Sequence, residues 1–355
     1  MADLFTPLKI RSVSLSNRIG VSPMCQYSSL DGFATDWHLV HLGSRAVGGA
    51  GLVMTEATAV SPDGRISPQD LGIWADSHVE GLARCARFIH ERGAVAGIQL
   101  AHAGRKASTP PPWESGQLLS EKDGGWRPVW APSAIPFSPG SAVPQALSVQ
   151  QIREMVVLFS QAARRAQEAG FRVVELHAAH GYLLHEFLSP LSNHRLDEYG
   201  GSFENRTRIV REVVVAVRQV WPTDLPLFVR ISATDWVDGG WDVDQSVDLA
   251  RQLKPLGVDL VDCSSGALVP GVSIPVAPGY QVPFAERIRQ EADIATAAVG
   301  LICEPAHAAE IIQKGQADLV LLARQMLRDP YWPQHAARQL GAAVPCLIQY
   351  RRAAE

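Results

Sequence analysis

Residues 148–182 read SVQQIREMVVLFSQAARRAQEAGFRVVELHAAHGY. Apolar side chains recur at Ile152, Met155, Phe159, Ala162 and Ala166, the spacing of one helical face, and Ser148 stands ahead of them as an N-cap residue. Gly170 suits the left-handed residue that ends a helix. The run Val173-Val174-Glu175-Leu176 then suits a buried strand. The stretch predicts a helix over 148–169, a stop, and a strand over 172–176 that delivers His177-Ala-Ala-His180-Gly-Tyr182 to its C-terminal end.

The same unit recurs outward in both directions. Short apolar or β-branched runs lie at 18–22, 51–55, 94–100, 227–231, 260–263, 295–299 and 319–322, which with 172–176 makes eight strand candidates. Helical spacing follows most clearly over 77–92, 204–220, 244–255, 305–314 and 330–339. Pro305 and Pro330 fit first-turn positions, and Gly93, Gly257 and Gly315 repeat the stop seen at Gly170. Eight βα units in 355 residues predict an α/β fold, a closed (β/α)8 TIM barrel forming a single domain over 1–355. Two stretches exceed the minimal barrel. Residues 106–146, rich in Pro, Trp, Gly and Ser, predict a capping loop or hairpin over the C-terminal face, and 268–282 a second loop.

Lys and Arg number 32 against 36 Asp and Glu, a net charge of -4 with no run of one sign, which gives no footing for nucleic acid or a charged membrane surface. No segment approaches the roughly 20 apolar residues of a membrane helix, and no leader pattern opens the chain, so a cytoplasmic protein is expected. The cysteines, Cys25, Cys85, Cys263, Cys303 and Cys346, are odd in number and scattered, as in a reducing compartment. Small molecules are the expected partners.

In a TIM barrel the chemistry sits at the C-terminal ends of the strands. Polar residues cluster there: Ser22-Pro23-Met24-Cys25-Gln26-Tyr27, Glu56-Ala57, Gln99 to Lys106, His177 to Tyr182, Arg230, Gly300 and Ala323-Arg324. The loops after strands 7 and 8 commonly hold a phosphate through backbone N–H groups, and Arg324 would add a bidentate charge. The alternative is that Arg324 pairs with a barrel carboxylate. For His177 and His180 three readings stand: ligands of a metal, which lacks an evident third ligand; a structural pair; or two donors for a substrate oxygen. Tyr182 supplies a phenol that stays protonated at neutral pH, as a general acid must. No dinucleotide fingerprint follows a strand; Gly48-Gly-Ala-Gly51 lacks the spacing.

These residues resemble the old yellow enzyme family, in particular its bacterial class of xenobiotic reductases and thermophilic-like ene-reductases. The resemblance runs nearly the whole length, through Leu4-Phe-Thr-Pro-Leu8, Ser22-Pro-Met-Cys25, Asp70-Leu-Gly-Ile-Trp74, Gln99-Leu-Ala-His-Ala-Gly-Arg-Lys106, His177 to Tyr182, His185-Glu-Phe-Leu-Ser-Pro-Leu-Ser-Asn-His-Arg195 and Asp262-Cys-Ser-Ser-Gly-Ala267. It implies noncovalent FMN, with NADPH or NADH as reductant and an enone or other activated alkene as substrate in a ping-pong cycle. Ser22, Pro23, Met24 and Cys25 would line the flavin, Ala57 and Gln99 contact its ring, and Arg230 face its pyrimidine edge. Gly300, Ala323 and Arg324 would hold its phosphate. Cys25 would modulate the flavin, Tyr27 would bind substrate, and His177 and His180, beside the flavin, would bind the carbonyl oxygen like an oxyanion hole. Tyr182 would protonate the α-carbon. No metal is implied. The tail over 342–355 resembles one that crosses a dimer interface, so that Arg352 would enter the neighbouring subunit's site in a homodimer or a tetramer of dimers. The 106–128 segment, with Trp113, Trp126 and nearby Trp130, is longer than in the shorter members of the class, which leaves pocket size open.

Overall fold

A computed structural model describes residues 3–114, 118–343 and 347–353. The chain opens with an antiparallel pair, β1 (Leu8–Ile10) and β2 (Val13–Leu15), and then enters eight parallel strands: β3 (Ile19–Val21), β4 (Leu52–Ala59), β5 (Val95–Ala101), β8 (Val173–Ala178), β9 (Leu227–Ser232), β10 (Leu260–Ser264), β11 (Ala295–Ala298) and β12 (Leu319–Leu322). They close into a barrel in chain order, β12 pairing with β3, as the sequence predicts. The helices are α1 (Asp36–Val47), α2 (Val79–Glu91), α3 (Val149–Glu168), α4 (Leu183–Leu188), α5 (Phe203–Val220), α6 (Val243–Leu253), α7 (Val282–Ala292), α8 (Pro305–Gln313), α9 (Arg324–Arg328) and α10 (Trp332–Leu340).

Helix α3 shows why these sequences form these elements. Ser148 accepts from the N–H of Gln151 while the Gln151 side chain returns to the Ser148 N–H, a complete capping box. Its buried face is Ile152, Met155, Phe159, Ala162, Ala163 and Ala166, and Gly170 ends it at φ 85°. Gly93, Gly257 and Gly315 also take positive φ.

Leu8, Val13 and Leu15 of the first pair pack on Leu52, Val95, Val173, Phe228, Leu260 and Leu319, which fill the barrel interior at the strand starts. The N-terminal end is thereby plugged. Access is left to the C-terminal face, where the strand-end side chains collect.

Two details differ from expectation. Within 106–146 the only strands among the described residues are β6 (Trp130–Ala131) and β7 (Gln145–Ala146), and they pair in parallel, so the excursion is a wide crossover and not a hairpin. Trp126 and Trp130 both donate to Asp63, fastening the crossover to the loop after β4. The 268–282 loop is as expected, but it leads into α7, whose helical spacing the proline at Pro283 obscures; proline is tolerated there because it sits in the first turn.

Candidate active site

Strand register sets the floor of the site. Ala57 pairs with Gln99 and Gln99 with Glu175, while His177 pairs with Arg230 and Arg230 with Asp262. The β4–β5 register shifts between Met54 and Ala57, and this bulge brings Ala57 into line with Gln99. Gln99 Nε2 donates to Glu175 Oε1 at 2.8 Å. Arg230, 5% exposed, lies 3.0 Å from Asp262 through Nε and donates from Nη1 to Ser22 Oγ at 3.1 Å. Burial raises the proton affinity of both Glu175 and Asp262, and Arg230 opposes this in each.

The segment after β3 is anchored by Glu56, whose Oε2 accepts the Gln26 N–H at 3.1 Å while Oε1 lies 3.2 Å from His38 Nε2. Cys25 and Tyr27 sit at this turn, Tyr27 with a left-handed φ of 50°. Burial, then Asp70 and Glu56, push the Cys25 thiol well above its ordinary range, so it is held as a thiol and not a reactive thiolate. Burial, then Cys25, Asp70 and Glu56, likewise raise Tyr27. The Trp113 ring meets Tyr27 edge-on at 5.4 Å, bringing the long crossover to the rim.

After β8, His177 Nδ1 accepts the Ala179 N–H at 3.2 Å, which places the ring proton on Nε2. That nitrogen lies 3.4 Å from His180 Nδ1, and His180 Nε2 is 2.6 Å from Ser264 Oγ. His180 has φ 59°, held by its N–H to Ser232 Oγ at 2.9 Å. Burial, then Arg230, lower both imidazoles well below their usual range, so both are neutral. The Tyr182 ring stands edge-on to His177 at 5.0 Å, and burial, then Cys25, Tyr27 and Asp70, hold its phenol protonated. Lys106 donates to the carbonyls of His180 and Ala267, and burial pushes its amine down to about 7. A cavity of about 280 Å³ opens beside it, lined by Ile66, Phe137, Ala142 and Tyr182.

Across the face a cavity of about 170 Å³ is lined by Ser264, Gln281, Gly300, Ala323, Arg324 and Gln325. Gly300 has φ 127°, and a Cβ there would crowd Gln281 and Tyr280 at 3.1–3.2 Å. Arg324 has no carboxylate partner among the described residues, which leaves its charge for an anion. This small polar recess fits the phosphate of a flavin mononucleotide, and buried Arg230 fits the electron-rich edge of its ring.

The profile of the NADH:flavin oxidoreductase / NADH oxidase family matches residues 3–342. The chain belongs to this FMN-binding family of old yellow enzyme oxidoreductases. It is 53% identical over 351 residues to an NADPH dehydrogenase of Bacillus subtilis (strain 168), covering 98% of each chain, and 54% identical to one of Geobacillus sp. (strain WCH70), again over 98% of each. Among solved structures, morphinone reductase superposes with a TM-score of 0.78 at 30% identity, covering 97% of this chain and 91% of that one. An old yellow enzyme homologue from Zymomonas mobilis superposes at 0.78 with 26% identity, covering 98% and 95%.

The strand ends thus bring together Ser22 to Tyr27, Ala57, Gln99, His177, His180, Tyr182, Arg230 and the Gly300–Arg324 recess. Arg352 is exposed in a 3-10 turn over Ile348–Ala353, and of the tail 342–355 residues 344–346, with Cys346, and 354–355 lie outside the described residues. Sequence reasoning missed Asp262, Ser264, Gln281 and Asp70 as site neighbours. Their signal was faint: single polar residues within or beside apolar runs.

Proposed function

We propose that this oxidoreductase reduces the activated C=C bond of α,β-unsaturated carbonyl compounds in a ping-pong cycle with NADPH or NADH, NADPH being suggested by the names of its bacterial relatives. The observation that carries the reading is the meeting of two neutral imidazoles and a protonated phenol, with ring centroids 5.0 and 5.1 Å apart, on the barrel face that also holds the anion recess. FMN, when bound, supplies the two-electron chemistry, taking hydride from the nicotinamide and passing it to the β-carbon of the alkene.

Ser22 to Cys25, Ala57, Gln99 and Arg230 would seat the ring, with Gly300, Ala323 and Arg324 on the phosphate. His177 Nε2 and His180 Nδ1 lie 3.4 Å apart, and with a proton on each they would hold the carbonyl oxygen as its negative charge grows. Tyr182 Oη–H would give its proton to the α-carbon. Tyr27, with Trp113 behind it, would close the pocket. Arg352 would reach the site of a neighbouring copy in a homodimer or tetramer of dimers. Among the described residues no helix is long and apolar enough to cross a membrane.

The test is an anaerobic titration. Purified protein should be yellow, bleach with NADPH, and regain colour faster with cyclohexenone; active but colourless protein overturns the reading. In Tyr182→Phe, bleaching should persist while reoxidation by enone slows by about 10²-fold, the usual worth of a positioned acid. Wild-type rates in both halves would remove Tyr182 as donor.

A further inference from the structure

If Tyr182 gives its proton to carbon, its phenolate must be recharged, and a group suited to that lies behind the ring. A small, partly enclosed cavity of about 10 Å³, the order of space one water requires, is lined by the apolar Ala57, Ala59, Ile66, Ala101 and Ala103 with Gly64, and among the described residues the polar side chains lining it are those of Asp70 and Tyr182. Asp70 is 2% exposed. Its Oδ2 accepts the Ile66 N–H at 2.6 Å, while Oδ1 finds no partner among the described residues. A buried carboxyl with one oxygen unsatisfied is costly unless it carries a proton or meets water.

The charged and titratable groups around it support the protonated form. Burial, then Glu56, drive the Asp70 carboxyl well above its ordinary range, opposed by the Ile66 and Ser67 N–H groups and by Arg65. Ionised, Asp70 would in turn hold Cys25, Tyr27 and Tyr182 more firmly in their protonated forms, so its carboxylate and a phenolate oppose one another. Phenol is the weaker acid of the pair, so passage of a proton from carboxyl to phenolate runs downhill.

We propose that Asp70, through one water in this cavity, is the proton reserve of Tyr182. The inference rests on the reading of Tyr182 as donor. As the Tyr182 Oη–H bond breaks and the α-carbon C–H bond forms, the phenolate oxygen takes a proton from the water. The water takes the carboxyl proton of Asp70, and no oxidation state changes in these steps. Once product leaves, solvent returns a proton to Asp70 by the reverse route. The relay works while product still fills the pocket and shuts Tyr182 from solvent.

Asp70→Asn keeps an acceptor for Ile66 but has no acidic proton. Rapid mixing of reduced enzyme with cyclohexenone, set against steady state, should show the ratio of first-turnover to steady-state rate rising about tenfold or more in Asp70→Asn. The infrared C=O stretch of a protonated carboxyl, present in the oxidised wild type, should vanish in Asp70→Asn and shift in Tyr182→Phe. The wild-type and Tyr182→Phe spectra carry the test even if Asp70→Asn fails to fold. An unchanged rate ratio, or no carboxyl band that responds to Tyr182→Phe, overturns the reserve. A wild-type first turnover in Tyr182→Phe instead removes the donor beneath it.

Discussion

Ser264→Ala probes the tautomer of His180, on which the carbonyl binding proposed for this site would turn. With His177 Nδ1 taken by the Ala179 N–H, His177 presents Nε2–H, and 3.4 Å away His180 Nδ1 can only accept it while the pocket is empty. His180 then carries its proton on Nε2 and donates to Ser264 Oγ at 2.6 Å, leaving the Ser264 hydroxyl to donate to Gln281 Oε1 at 3.4 Å. For a carbonyl oxygen to receive two N–H donors, His180 must move its proton to Nδ1, and Nε2 must then accept from Ser264. The long bond to Gln281 is the weak one, so the hydroxyl turns at small cost. Removing Oγ deletes that donor in the occupied site and the acceptor of Nε2–H in the empty one, so affinity falls by the difference, up to about 1.5 kcal/mol or about 12-fold. Phenols, which charge-transfer absorption reports when they bind over the flavin, are the assay. Kd should rise by that factor in Ser264→Ala with flavin content intact. Unchanged phenol affinity would refute the tautomer argument.

Arg324→Ala should release FMN on dilution, measured by flavin fluorescence after ultrafiltration, because loss of a bidentate charge-assisted contact costs about 1.5–3 kcal/mol. Gly48→Ala should lower stability by about 1–3 kcal/mol in denaturant unfolding, since its Cβ would meet the Pro330 carbonyl at 1.9 Å, a backbone atom that cannot swing away. Asp235, 2.9 Å from His185 in a fully buried pair, predicts acid sensitivity. Burial alone would raise this carboxyl, but His185, Ser189 and the Trp241 N–H outweigh it and leave it below its ordinary range. Its contribution is thus present above the unfolded pKa and lost as pH falls through the lower folded value. Asp235→Asn should cost about 3 kcal/mol at neutral pH and flatten the acid limb of the stability curve.

The barrel was legible because periodicity and punctuation agree in nearly every unit. The 260–263 run is apolar enough to be read as a strand, and Gly257 ends the helix before it with φ 99°. Site residues at strand ends were legible for a second reason: a polar side chain after an apolar run has nowhere else to point. Asp262 and Asp70 were not, since burial and partners depend on strands and loops distant in sequence. Asp262 reads as an ordinary interruption of β10 until the register sets it beside Arg230. The parallel β6–β7 pair was hidden because two-residue strands carry no period.

The charge states of these groups constrain the division of labour among them. His177 and His180 are kept neutral by burial and by Arg230, with Lys106 adding to the effect, so neither imidazole has a spare proton to give a developing enolate. In the proposed reduction they would stabilise its charge only by donating hydrogen bonds, which would pin the oxygen and leave the α-carbon unprotonated. Cys25, fixed as a thiol, and Tyr27 are both raised by burial and by the Glu56 and Asp70 carboxyls and share that region with Tyr182. Of these, the phenol of Tyr182 is the one whose ring meets His177. A site that binds oxygen with neutral donors needs a separate acid, which is the role proposed for Tyr182. Arg230 would therefore serve twice: its charge would face the flavin, and it helps keep the histidines neutral, so that the two proposed roles stay separate.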